Sequence, residues 1–514
     1  MLQESVLYAS HIILKIKSNM KFITFMALGL VSSTAAETWR VDSQDDWAQF
    51  ITNSENILIK DGFASPVASE ASIKSSIKTF KKKQKVNSIT VQQSAEWLNW
   101  NPIPNIGPKN LRDAPVLLAL GPDDYWIFGR YGNSKGDPEA EAGKPAKLEG
   151  FDIELSTTNF AHQFDAAGGK EPKLGGYHAW QSKDMKNWVH HGSITNQKSK
   201  WMTTAEYVDG KAYFYFDFPN DQDPHLYIDD NLFDGKLGKD MGMAFEDPSH
   251  GSDCAIIRSL DGKFHLISED WSPIRASNRS WDSPLASHAV SADGTGGFEL
   301  QAPAVDYRTK PTGKIETYKH PHWVKEDPAR FPSNIAEYEV HLPEQDAYGD
   351  WAAISIGGQY YLFGDYDPAG AHGARNMKVA WFTSSSIDEP FKFCSSIGQG
   401  HPDPDVIFAE GNFYLATQTA NDFISPGPWV ESVEVRVGVD TDGDGSMDQY
   451  SEWAKVSESY DYIEGFSKQI SRTPAQLDLS KLPEGFGFQF EMKLEDTTEN
   501  ESKPKIDAVE LNFN

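Results

Sequence analysis

The sequence predicts an all-β protein: a five-bladed β-propeller with an additional C-terminal β-sandwich-like domain. Two observations carry that prediction. Five stretches repeat one pattern, in which a short β-rich run meets a turn carrying Gly or Asp and an aromatic-rich run returns. Asp113 opens DAPVLLALGPDDYWIF, Thr203 and Thr204 open TTAEYVDGKAYFYF, and Asp253 opens DCAIIRSLDGKFHLI. Asp350 opens DWAAISIGGQYYLF and Asp403 opens DPDVIFAEGNFYLA. Strand, a turn that tolerates positive φ, and strand again is a hairpin signal, and a β-rich repeat at this spacing points to radially packed blades. Past Pro426 and Pro428 the pattern changes. VESVEVRVGV, GFGFQFEMKL and IDAVELNF alternate with period two, as half-buried strands do.

The outer strands of the blades are read from a second repeat. The run from His178 to Trp188 resembles that from His288 to Phe298 and that from Val379 to Phe391: an apolar strand, a polar turn, then an aromatic that closes the blade. Five inner hairpins imply five blades over residues 111–430. Their spacings of 91, 49, 97 and 53 residues are uneven, so the long gaps must hold large loops.

The N-terminus reads as a targeting segment. Lys15, Lys17 and Lys21 precede the apolar run FITFMALGLV, and SSTAA follows before Glu37. A basic start, an apolar stretch and small residues make a secretory signal over 1–36, with Met20 the better start; the run is too short to span a bilayer. The expected location is secreted or periplasmic. Residues 37–110 are expected to be a lead-in or oligomer arm, in which IKSSIKTFKKKQK is a basic helix or hairpin, and a homodimer is a candidate assembly. Pro102, Pro104 and Pro108 mark an extended entry into the propeller.

Composition limits the partners. A formal charge of −28 over 514 residues excludes phosphate-rich partners, nucleic acid or an anionic membrane surface, because binding them needs a basic field. The 15 Trp, 19 Tyr and 29 Phe suit both blade packing and stacking against sugars. Two cysteines, Cys254 and Cys394, are too few for a disulfide scaffold; one bridge or two free thiols are open readings.

In a propeller the innermost strands start around the axis, so residues at matching registers converge. That register carries Asp113, Thr204, Asp253, Asp350 and Asp403, with Asp405 close behind. An Asp at one strand start is commonly a cap. Several together crowd like charges and raise one another's proton affinity, which provides one protonated and one ionised carboxyl near neutral pH. Paired carboxylates facing across a funnel suggest glycoside hydrolysis, with an inverting enzyme holding acid and base roughly 6.5–9.5 Å apart. The longest gap offers further groups: His320 and His322 flanking Pro321, then Trp323, Glu337, Glu339, His341 and Glu344. His320 and His322 are candidates for substrate hydrogen bonding, and Trp271 and Trp323 for stacking on sugar. His401 is a candidate for substrate contact or for an axial cation or water. No cofactor is required for the chemistry. In the C-terminal part, Asp440, Asp442 and Asp444 have the D-x-D-x-D-G spacing of an oxygen-ligand Ca²⁺ loop, with Gly445 permitting the turn and Asp448 nearby. The twelfth position is Ser451, with Glu452 one residue late; an acidic β-turn is the alternative.

These residues resemble a known group. The inner hairpins with Asp113, Asp253 and a blade-four carboxylate, together with SKDMKNW at 182–188, are similar to the five-bladed propeller glycosidases of glycoside hydrolase family 43 and its relatives. SEDWSP at 268–273, WDSPLASHAVS at 281–291 and WFTSSSIDEPF at 381–391 resemble family 117 more closely, the α-1,3-(3,6-anhydro)-L-galactosidases of agar breakdown. The resemblance implies an exo-acting, inverting hydrolase that removes a terminal sugar from marine galactan oligosaccharides. It implies Asp113 as the general base and Asp253 as a group that holds substrate and tunes the acid. The family acid is a blade-four Glu or a neighbouring His, whereas this chain has Gly349-Asp350 at that register. Asp350, Glu344 or a loop histidine is expected to fill the role. The paired arginines of the family 117 dimerisation segment have no counterpart here. A family 43-like arabinanase or xylosidase, or a carbohydrate-binding propeller without catalysis, are the competing readings.

Overall fold

The structure, a computed structural model, describes residues 37–93, 102–103, 105–108, 111–131, 177–195, 201–217, 223–234, 236–248, 253–270, 274–276, 283–306, 308–309, 338–340, 346–368, 377–398, 403–417, 423–424, 433–495 and 505–514. The segment 1–36, read as a secretory signal, lies outside them.

The chain is a five-bladed β-propeller joined to a β-sandwich. The first blade runs from the inner strand Leu111–Gly121 through Asp124–Tyr131 and Tyr177–Ser182 to Val189–Ser193. The second runs from Trp201–Val208 to Lys239–Met243 and the third from Ala255–Arg258 to Glu299–Leu300, each of four strands. The fourth begins at Ala347–Ile356 and reaches Lys392–Ile397. The fifth takes Asp405–Ala409, Asn412–Ala416 and Phe423–Ile424, and its outermost strand is Pro102–Ile103, from before the first blade. That strand pairs antiparallel with Phe423–Ile424 and so ties the two ends of the propeller together. A Pro at such a sheet edge costs no ladder bond.

The ring closes through apolar seams. Each inner strand neighbours the next, and the fifth neighbours the first. Phe128 of blade one meets Phe214 of blade two with ring centroids 4.8 Å apart. Tyr215 and Ile256 share the seam between blades two and three, Ile257 and Trp351 that between three and four. Phe363 and Phe408 share the fourth seam, and Leu117 and Ile407 the last. The aromatic return runs in the sequence are these seams. Each large side chain so buried contributes about 1.5–3 kcal/mol relative to exposure, which is why one blade alone would not fold.

Residues 37–93 correct the expectation of a lead-in arm. Their strands complete both sheets of the sandwich. Val86–Gln93 and Thr38–Val41 flank the C-terminal strand Ile506–Phe513, and Glu70–Ser75 pairs with Gly485–Glu495. The physical reason is burial: Ile73, Val91, Val437, Phe490 and Phe513 form one core that neither end of the chain can close alone. IKSSIKTFKKKQK is neither helix nor hairpin: it covers the end of Glu70–Ser75 and then Lys78–Gln84, which lies along one end of Gly485–Glu495 with its side chains exposed or half-exposed. The helix Gln44–Phe50 is capped by Ser43 and anchored by buried Trp47, whose indole N–H donates to the Gly62 carbonyl at 2.7 Å.

A hairpin from the sandwich half reaches back into the propeller. Ser459–Tyr462 pairs with Gln469–Thr473, and the latter adds in parallel to the inner strand of blade four through Ser355↔Gln469 and Ile356↔Ile470. Cys254 and Cys394 are not bridged to each other, and Cys254 is buried beside the Thr203 hydroxyl.

Candidate active site

Three aspartates at the starts of inner strands share an unusual backbone. Asp253, Asp350 and Asp403 have φ of 50°, 48° and 57°, in the left-handed region that costs most residues and that Asp tolerates best. Each stands two residues before regular pairing begins, at Ala255 and Asp405, or resumes, at Ala352. In blade four the register breaks between Gly349 and Ala352, which leaves Asp350 and Trp351 out of the ladder. The freed Trp351 N–H donates to the Asp253 carbonyl at 3.1 Å and links blades three and four. Gly364 makes room for the break, since a Cβ there would stand 2.8 Å from the Gly349 carbonyl oxygen and 3.0 Å from the Trp351 ring. Asp113 stands in the corresponding irregularity of blade one, between the pairs Arg112↔Arg130 and Val116↔Phe128.

Carboxylates from neighbouring blades meet here. Asp350, Asp365 and Asp403 place oxygens within 4.8 Å of one another. Asp365, on the second strand of blade four opposite Gly349, accepts the backbone N–H of Asp403 at 2.7 Å. Asp350 is held well above the ordinary carboxylate range. Burial is the main cause; the charges of Asp253, Asp403 and Asp365 and a hydrogen bond with the Asp403 carboxyl add to it. A hydrogen bond between two carboxyls requires a proton, so the Asp350–Asp403 pair shares one. The three oxygens are also of the kind a hard cation takes.

A second polar layer lies further along the same strands. Asp405 is buried and pushed up to about 6 by that burial, while Lys468 and the N–H groups of Leu117 and Val406 pull it back. Its oxygens accept from Leu117 at 2.6 Å and Val406 at 2.8 Å, the first bond crossing from blade five to blade one. Thr204 Oγ1 accepts from the Ile256 N–H at 3.2 Å, between blades two and three. Lys468, buried at the end of the sandwich hairpin, donates its ammonium to Thr204 Oγ1 at 3.1 Å and to the Ile256 carbonyl at 2.8 Å. Beside it Ser467 hydrogen-bonds buried Glu206, and Gln469 Nε2 donates to the Arg258 carbonyl at 2.6 Å. A cation delivered by the chain thus sits among inner strands of different blades.

The structure therefore brings together Asp253, Asp350 and Asp403 of the residues singled out from sequence, and adds Asp365 and Lys468. The side chain of Asp113, together with Glu344, His320, His322, Trp271, Trp323 and His401, lies outside the described residues. Asp365 had a signal: it is an acid in the apolar return run QYYLFGDYD. Lys468 had none, being far away in sequence and flanked by ordinary polar residues.

The second predicted cluster is separate. Asp440, Asp442 and Asp444 place oxygens within 4.8 Å of one another beside a cavity lined by Thr79, Phe80 and Phe486. Asp440 is buried and accepts from the N–H groups of Gly443 at 2.6 Å and Gly445 at 2.9 Å. Asp448 accepts from the Thr441 hydroxyl at 2.6 Å and from its N–H at 2.7 Å, which hold its carboxyl below the usual range.

No protein-family model matches the chain, and no curated protein matches it. Solved structures similar to it include a thermostable family-43 glycoside hydrolase, at 11% identity over 76% of this chain and 98% of that one, with a TM-score of 0.35. The endo-arabinase from Bacteroides thetaiotaomicron VPI-5482 matches at 11% over 65% and 98%, with a TM-score of 0.39. An exo-1,5-alpha-L-arabinanase from a bovine ruminal metagenomic library matches at 15% over 65% and 96%, with a TM-score of 0.34. The ring of inner strands, and not these likenesses, carries the propeller assignment.

Proposed function

We propose that the chain is a glycoside hydrolase acting on oligosaccharides where Asp253, Asp350 and Asp403 converge. The observation that carries this reading is the buried Asp350 carboxyl, which hydrogen-bonds the Asp403 carboxyl and is held well above the ordinary range beside Asp253 and Asp365. A hydrolase of glycosidic bonds needs one carboxyl that keeps its proton at working pH and gives it to the departing oxygen. Asp350 is that acid. Asp113, at the matching register of blade one, is the base that takes a proton from water. Asp253 raises the proton affinity of Asp350 and holds the sugar. Direct attack by that water inverts the anomeric centre.

The segments SEDWSP, WDSPLASHAVS and WFTSSSIDEPF support the finer reading, an exo-acting enzyme that releases terminal 3,6-anhydro-L-galactose from agar-type oligosaccharides. The test is chromatography of neoagaro-oligosaccharides after incubation with wild type and Asp113→Asn. Release of anhydrogalactose by wild type alone is expected. Release instead from arabinan or xylan oligomers would replace the sugar and keep the reaction. No release from any of them would leave the propeller as a binding module.

A further inference from the structure

We propose that His265, His288 and Asp388 form a site for a borderline divalent cation of the Zn²⁺ class, stapling blade three to blade four. His265 lies on Phe264–Glu269 and His288 on Ala286–Ser291, neighbouring strands of blade three. Asp388 comes from the turn between Lys378–Ser384 and Lys392–Ile397 of blade four. One ligand atom from each falls within 4.8 Å of the others.

The tautomers carry the argument. His265 Nδ1 faces His288 Nε2 at 2.9 Å. On its far side, His265 Nε2 is 2.9 Å from Ser259 Oγ. Ser259 has one proton, and it donates to the Asp261 carboxylate at 2.5 Å, so His265 must supply the hydrogen in their contact. That puts the His265 proton on Nε2 and leaves Nδ1 a bare lone pair. The Ala302 backbone hydrogen-bonds the His288 ring in the sense that favours its protonation, as an accepting carbonyl does. With Nε2 turned to His265, Nδ1 is the donor, and Nε2 is also bare. Two acceptors then face each other across 2.9 Å, which only a proton or a cation can reconcile. A proton fills the gap only by charging a buried imidazole. A metal ion about 2.0–2.1 Å from each nitrogen keeps the rings neutral, the two nitrogens parting to roughly 3.3 Å so that both lone pairs converge on it.

The third ligand separates this pair from a merely structural one. Asp388 Oδ1 is 3.9 Å from His265 Nδ1, and its side chain is 67% exposed, so it can close over an ion arriving from solvent. Orienting partners on the far side of each imidazole are what metal-bound histidines have. Blade one holds a comparison: His178 Nδ1 and His190 Nε2 stand 3.0 Å apart, but among the described residues no carboxylate completes that pair.

The experiment is calorimetric titration of the full chain with Zn²⁺, with excess Ca²⁺ present to occupy other oxygen sites, followed by Co²⁺ absorption. Wild type is expected to bind one Zn²⁺ and show a visible Co²⁺ band. Outer-shell substitutions alone cost about 10–100-fold in affinity, so Asp388→Ala should lose tenfold or more and His288→Asn should lose the band. Asp388 is exposed, so its variant tests the proposal even where His288→Asn fails to fold. Absent Zn²⁺ binding by wild type, or equal affinity in wild type and Asp388→Ala, would overturn the proposal.

Discussion

The backbone N–H of Asp403 donates to the carboxylate of Asp365 at 2.7 Å, across the seam between blades five and four. This bond fixes the left-handed turn at Asp403, whose carboxyl in turn meets Asp350. The proton shared there has a consequence for stability. Asp350 binds its proton more tightly in the folded state than in the unfolded one. Its contribution is therefore fully present below the ordinary carboxylate value and is lost as pH rises toward the folded value. Asp350→Asn should raise Tm, and the gain should grow from pH 5 to pH 8. Thermal melts across that range check it; a gain that shrinks as pH rises contradicts it.

Lys468 should be as important to folding as a core aromatic. Lys468→Met leaves Thr204 and Ile256 without their donor and removes the cation that restrains Asp405. Breaking a buried charged network in this way costs about 3–5 kcal/mol. The double variant Lys468→Met/Asp405→Asn should recover part of the loss, because no buried carboxylate is then left uncompensated. Urea unfolding of the three proteins measures both terms. A Lys468→Met variant within about 1 kcal/mol of wild type would show the contact to be incidental.

Three histidines in blade one should make the fold acid-sensitive. Burial pushes His178 and His191 down to about 3 and holds His190 well below its ordinary value. A depressed value means stability that is present above the unfolded value, near 6.5, and lost as pH falls through the folded one. Each contributes up to about 1.4 kcal/mol per pH unit over that window. Unfolding free energies between pH 7 and pH 4 should fall steeply, and His191→Gln should flatten the slope by about one proton. An unchanged slope in that variant would contradict the account.

The Ca²⁺ that the sequence spacing suggests for the Asp440–Asp444 loop stands as a proposal. Asp440 spends one lone pair of each oxygen on backbone N–H groups, so each oxygen retains another for an ion. Ca²⁺ should raise the Tm of wild type, EGTA should reverse the effect, and Asp442→Ala should be indifferent to both. A Ca²⁺ response that survives Asp442→Ala sends the ion elsewhere.

Much of this was legible in the sequence because propellers write their blades as repeats. The period-two hairpins and their turn residues located every inner strand, and the Asp register located Asp253, Asp350 and Asp403. What sequence could not supply was long-range pairing. Val86–Gln93 and Ile506–Phe513 alternate in the same way, yet nothing local says that they pair across more than 400 intervening residues. Lys468 was invisible for the same reason: an isolated lysine reads as solvated until the fold places it between Thr204 and Ile256. Asp365 was overlooked because an acid in a return strand reads as an edge or turn residue, whereas here it faces a break in its partner strand.

The central claim is that Asp350 gives a proton to the leaving oxygen, and leaving-group dependence tests it most directly. The rates of wild type and Asp350→Asn should be compared on the oligosaccharide that proves to be the substrate and on an aryl glycoside of the same sugar. A phenolate leaves with little help from an acid. The account predicts a loss of about 10²–10⁴-fold on the oligosaccharide and a far smaller loss on the aryl glycoside. Equal losses on both substrates would contradict it, because Asp350 would then hold the site together without supplying the proton.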